Sequence, residues 1–205
     1  DEFEEWQKAK LKMSAREYKQ IEWQSQHRAL TSMPQHLHRF AIWYIYHWLP
    51  SGRRKKINYP AEDNRCPLCG REDEKSSHFL RCGHNAMKKT FKDLLGNLRT
   101  LFTTEKVAMA PASRILARLN EWRTEDETRD EERVNGFSCE NFPDGRIERT
   151  ISQNLRIVGG TEWQDAAHIA TKIVMVVLEG AAKMWGARCQ LASNASVTGL
   201  TLGRK

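Results

Sequence analysis

Cys66-Pro67-Leu68-Cys69-Gly70, followed at a short distance by His78-Phe79-Leu80-Arg81-Cys82, is the stretch that decides what kind of molecule this chain folds into. The pattern is Cys-x2-Cys-x8-His-x3-Cys. Two residues between Cys66 and Cys69 let one tight turn aim both thiolates at a point, with Gly70 free to take the positive φ such a turn often needs. His78 and Cys82 are four apart and share one side of a helical turn. Four soft or borderline donors in a tetrahedron select Zn²⁺ over Mg²⁺ or Ca²⁺, and with no ligand position left open the site is structural. Three thiolates leave it at a net −1, which Arg65, Arg71, Lys75 and Arg81 are placed to offset. His84 competes as a ligand two residues beyond Cys82. The other reading, ordinary buried cysteines, fits poorly with Arg71–Ser77, which read as an exposed loop with no core to hide thiols in.

Working outward, the pattern is helical. Pro34 and Pro50 bracket Gln35–Leu49, a helix crowded with Phe40, Trp43, Tyr44, Ile45, Tyr46 and Trp48 and therefore expected to be largely core; the other reading of Trp43, Tyr44, Tyr46 and Trp48 is stacking on unpaired bases. The first thirty or so residues read as a polar helix or two. Met87, Phe91, Leu94, Leu95, Leu98 and Phe102 fall three and four apart, the mark of an amphipathic helix, and Ile115, Leu116, Leu119 and Trp122 mark another. Trp163, Ala166, Ala170, Ile173, Val174, Val177, Ala181, Met184 and Trp185 line one face of a tail helix from about Glu162 to Gln190. No alternating strand pattern stands out. The expected fold is mainly α, a helical domain with a small Cys-Cys-His-Cys zinc knuckle. Its segments are a polar helical part (1–33), a zinc-binding helical module (34–122), an acidic linker (123–148) with turns at Asn135-Gly136 and Pro143-Asp144-Gly145, and a C-terminal helical part (149–205).

The chain has 205 residues, 40% hydrophobic and 29% charged. That composition suits a folded protein and excludes a disordered one. The longest uncharged apolar run, Ile173–Leu178, is far short of the roughly 20 residues of a membrane span. Five cysteines with no basic-then-apolar leader argue for a reducing, intracellular compartment, nuclear or cytoplasmic. The start at Asp1, without Met, suggests a piece of a longer protein. The net charge of +7 is uneven: residues 51–100 hold 12 Lys and Arg against 6 Asp and Glu, whereas 121–148 hold 4 against 10. A basic excess around the cysteines is what a polyanion partner requires, although many basic proteins bind no polyanion.

From His36 to about Phe91 the chain resembles the zinc-binding domain that follows reverse transcriptase in eukaryotic non-LTR retroelement proteins. The resemblance rests on the aromatic helix (Phe40, Trp43, Trp48), Leu49-Pro50 and a basic segment, Cys66-Pro67-Leu68-Cys69-Gly70, the acidic Glu72, Asp73 and Glu74, and His78-Phe79-Leu80-Arg81-Cys82. It departs where such domains often carry Glu-Thr and this chain has Glu74-Lys75. The resemblance implies an accessory module that helps grip RNA or DNA, with the adjoining reverse transcriptase as a further partner.

The residues expected to meet phosphates are Arg53, Arg54, Lys55 and Lys56 before the knuckle and Arg81, Lys88, Lys89 and Lys92 in and after it. The run at 53–56 also fits a solvated charge cluster or a nuclear localisation signal. No catalytic residues are expected: no glycine-rich phosphate loop, nucleophile elbow or His-Glu-x-x-His motif occurs. The nearest nuclease-like carboxylates are Asp144 and Glu148. Two functions remain in view, a zinc-stabilised nucleic-acid-binding module without catalysis, and a helical interaction scaffold whose Trp163–Trp185 face packs on a partner.

Overall fold

The last helix organises the molecule. In the computed structural model, which describes residues 1–124, 142–157, 160 and 162–197, ten helices follow one another: α1 (Glu2–Leu11), α2 (Ala15–Gln20), α3 (Trp23–Ser32), α4 (Gln35–Ile45), α5 (Gly52–Asn58), α6 (His78–Arg81), α7 (Asn85–Thr104), α8 (Met109–Thr124), α9 (Arg149–Ile157) and α10 (Trp163–Val197). Among the described residues there is no strand, only an isolated bridge between Ile21 and Glu148. The molecule is a helical domain carrying a Cys-Cys-His-Cys knuckle. No described helix is long and apolar enough to cross a membrane.

α10 packs against α3, α4, α6, α7 and α9. Ala166, Ala170, Ile173, Val174, Val177, Ala181 and Met184 are buried along it, and the buried row of α7 is the apolar set its sequence spacing anticipates. The face of α10 considered for a partner is thus consumed within this chain. Short elements are set by their caps. Asp1 accepts from the Glu4 N–H to start α1, and a Ser14/Glu17 capping box starts α2.

The helix after Pro34 ends at Ile45, because His47 takes a left-handed φ of 57°. Of its aromatics only Tyr44 is fully buried, while Trp43 and Trp48 reach the surface. The polar N-terminal part forms three helices. The stretch expected as an acidic linker is divided: α8 runs to Thr124, residues 125–141, including Asn135-Gly136 and Cys139, lie outside the described residues, and 142–148 are built into the core. Phe142 and Ile147 are buried there. Tyr44 Oη donates to the Pro143 carbonyl at 3.1 Å, Gln26 Nε2 donates to the Gly145 carbonyl at 3.3 Å, and the Glu22 N–H donates to the Ile147 carbonyl at 2.7 Å. A segment that looks hydrophilic is accommodated in the core through these bonds and the pairing of Asp144 with Arg146. The tail helix continues to Val197; the Trp163 side chain and residues 198–205 lie outside the described part.

Candidate metal centre

The knuckle begins with a closed turn. The Gly70 N–H donates to the Cys66 carbonyl at 2.9 Å and the Cys66 N–H to the Arg71 carbonyl at 2.8 Å, with Gly70 at φ 73°. Only glycine adopts that φ without strain, and the turn leaves the Cys66 and Cys69 side chains converging. The other two donors are placed by α6. Phe79 and Leu80 are buried, and the Phe79 ring sits edge-on between Tyr44 (5.6 Å between centroids) and Trp185 (5.4 Å), holding His78 and Cys82 on either side of it.

The donor atoms of Cys66, Cys69, His78 and Cys82 all lie within 4.8 Å of one another. Cys66 Sγ is 4.0 Å from Cys82 Sγ, and Cys69 Sγ is 3.2 Å from His78 Nε2. Four donors gathered around one point can hold a metal ion. His84 stands apart: its Nδ1 accepts from the Ala86 N–H at 3.3 Å and caps α7.

Thiols packed so closely contend for protons. The hydrogen bond with Cys82 and burial push the Cys66 thiol up to about 12, while the same contact with Cys66 lowers Cys82. A divalent ion bound here displaces those protons, so affinity falls as acid restores them. Titration with cobalt(II), whose tetrahedral thiolate complexes absorb visible light, should show the midpoint rising at least tenfold in metal concentration for each pH unit from 8 to 6. A midpoint unchanged over that range would speak against thiolate ligation.

The surroundings depart from the sequence-based picture. Arg81 is half-buried, its Nη2 donating to the Trp122 carbonyl at 2.5 Å and its guanidinium 4.8 Å from that indole. Arg123 of α8 also meets the knuckle. It donates to the Cys82 carbonyl at 2.9 Å, stacks 5.0 Å from Phe91 and keeps a buried Nε with no hydrogen-bond partner. Arg65 pairs with Asp63 instead. Nothing in the spacing could have pointed to Arg123, which is 41 residues beyond Cys82.

Arg71–Ser77 is not wholly an exposed loop. Glu74 is 1% exposed and Arg188 of α10 is 5% exposed, and the two form a bidentate pair at 3.0 and 2.5 Å. The same carboxylate accepts from the Gly52 N–H at 2.6 Å, and the Glu74 carbonyl accepts from the Arg53 N–H at 3.1 Å. One side chain therefore ties the knuckle loop to α10 and to the first turn of α5. The approach is close: a Cβ on Gly52 would lie 2.5 Å from the Asn64 carbonyl oxygen. The start of α5 is fixed on the knuckle loop, and α7 starts three residues after Cys82. Of the residues expected to meet phosphate, Arg53, Lys55, Lys56, Lys88, Lys89 and Lys92 are exposed and Arg54 is half-buried. Asp144 and Glu148, the nuclease-like carboxylates, are buried, the former against Arg146.

Comparison of the chain with protein-family models, curated proteins and solved structures gives no match.

Proposed function

We propose that the chain is a zinc-stabilised nucleic-acid-binding module without catalytic activity of its own, of the kind its resemblance to retroelement zinc-binding domains implies. The observation that carries this reading is the attachment of a basic helix to the knuckle through Gly52, Arg53 and Glu74. A metal that fixes the Cys69–His78 loop thereby fixes the backbone from which Arg53, Lys55 and Lys56 project. Zinc suits the donor set. Zn–S bonds of about 2.3 Å and Zn–N bonds of about 2.0–2.1 Å in a tetrahedron place sulfurs about 3.8 Å apart and sulfur and nitrogen about 3.6 Å apart. The 4.0 and 3.2 Å separations lie within a few tenths of an ångström of those values.

Phosphate contacts release counterions, so binding through about six of them weakens on the order of 10³-fold between 50 and 200 mM salt. Fluorescence anisotropy of the zinc-loaded chain with labelled RNA and DNA should show that slope. Lys55→Glu with Lys56→Glu should weaken binding at least tenfold and flatten the slope, since both side chains are exposed and their loss leaves the core intact. Binding indifferent to salt and to this variant would overturn the reading.

A further inference from the structure

The surface beside the knuckle carries a second feature. Phe3, Trp6, Tyr46 and Trp48 form a continuous row, with centroid separations of 5.8, 5.1 and 5.6 Å. Phe3 is 60% exposed, Trp6 43% and Trp48 37%. Large aromatics left in water at consecutive contact are unusual on a surface that has no ligand. The row is also held in place from beneath. Gln7 donates to Tyr46 Oη at 2.9 Å and accepts from Tyr18 Oη at 2.7 Å, so α1, α2 and the end of α4 are locked together under the rings.

At the Trp48 end the row meets a cation. Lys10 Nζ lies 5.5 Å from the Trp48 ring, and Lys10 also lines a cavity of about 370 Å³ with Lys12, Arg53, Arg54 and Lys75. Ser51, Ser76 and Ser77 add hydroxyl groups to its wall. Among the described residues, Arg53 pairs with Asp73 at 3.2 Å, an exposed pair that a phosphate can replace at small cost. Glu4 and Glu5, near the Phe3 end, are both engaged by Lys8. The row therefore runs from an end whose carboxylates are paired with Lys8 to a strongly basic one.

Aromatic rings in series leading into a cationic cavity match the two needs of an unpaired strand: faces for bases and charges for the backbone. A duplex, with its bases stacked inside, could use the charges but not the rings. We infer that Phe3, Trp6, Tyr46 and Trp48 are a stacking platform for single-stranded nucleic acid, whose backbone phosphates enter the cavity bounded by Lys10, Lys12, Arg53, Arg54 and Lys75. The inference rests on the nucleic-acid reading above and narrows it to an unpaired strand and a defined track.

The test uses the full zinc-loaded chain with a 12-nucleotide single strand and the matching duplex at low salt. Trp6→Ala with Trp48→Ala should lower single-strand affinity at least about tenfold, leave duplex affinity within twofold, and be rescued by phenylalanine at both positions. Independently of any substitution, ultraviolet crosslinking of an iodouridine-containing strand should label peptides spanning residues 2–12 and 46–54. Single-strand binding that survives the double substitution, or crosslinks confined to residues 84–99, overturns the track while leaving the nucleic-acid reading standing. A parent chain that binds neither strand overturns both, and the aromatic row then becomes a surface for a protein.

Discussion

A Cys82→Ser chain is expected to purify without the single equivalent of metal expected of the parent and to unfold about 7–20 °C lower. Cys82 is buried and is one of the four gathered donors, so its loss leaves three. Structural zinc sites in small peptides are worth about 10–16 kcal/mol of apparent binding energy. Even a third of that, spread over a domain in which each kcal/mol moves the midpoint by about 2–4 °C, gives a shift of this size. Cys66→Ser should behave alike. Cys189→Ser, on the exposed side of α10, should keep both metal and midpoint, which separates ligand loss from thiol loss in general. Metal content by mass spectrometry and a thermal melt followed by circular dichroism decide the matter. A full equivalent of metal in both ligand variants would refute the assignment.

The second large effect is expected at Glu74. Replacing it by alanine leaves the Arg188 guanidinium buried beside Trp185 without its counter-charge and leaves the Gly52 N–H without its acceptor. Breaking one side of a buried pair costs about 3–5 kcal/mol, a fall of roughly 6–20 °C. Arg188→Leu alone should be similarly harmful, because it strands the carboxylate. The double variant Glu74→Leu/Arg188→Leu should recover much of the loss, retaining mainly the penalty of the orphaned Gly52 amide, about 1–3 kcal/mol. Strict additivity in this cycle would show that the two side chains do not depend on each other.

Legibility in the sequence followed distance along the chain. Ligand pairs three and four residues apart can be seen as pairs, and so can a row such as Met87, Phe91, Leu94 and Leu98, because local geometry fixes both. Glu74 and Arg188 are 114 residues apart, and each alone looks like one more surface charge. Phe142–Glu148 misleads for a related reason: its backbone carbonyls are buried against Tyr44 and Gln26, and its Asp144 against Arg146, partners that the local sequence does not reveal together. The aromatics after Pro34 mislead in the opposite direction. Their number suggests core, but the left-handed turn at His47 ends the helix early and swings Trp48 outward to join Trp6 and Tyr46. The ring-bearing surface thus arises from a backbone reversal that residue counting cannot anticipate.

The position of α10 in the chain has a consequence for biosynthesis. A ribosome releases α3, α4 and α7 well before it makes the helix on which they pack. Until α10 emerges, Leu94, against which Gly180 packs, is uncovered on that side, and closing the core must wait for contacts between distant parts of the chain, which are slow to form. Nascent polypeptide of this protein should therefore be a client of chaperones that shield apolar helices during translation, and a premature stop codon anywhere before α10 should yield an aggregating product rather than a smaller working one.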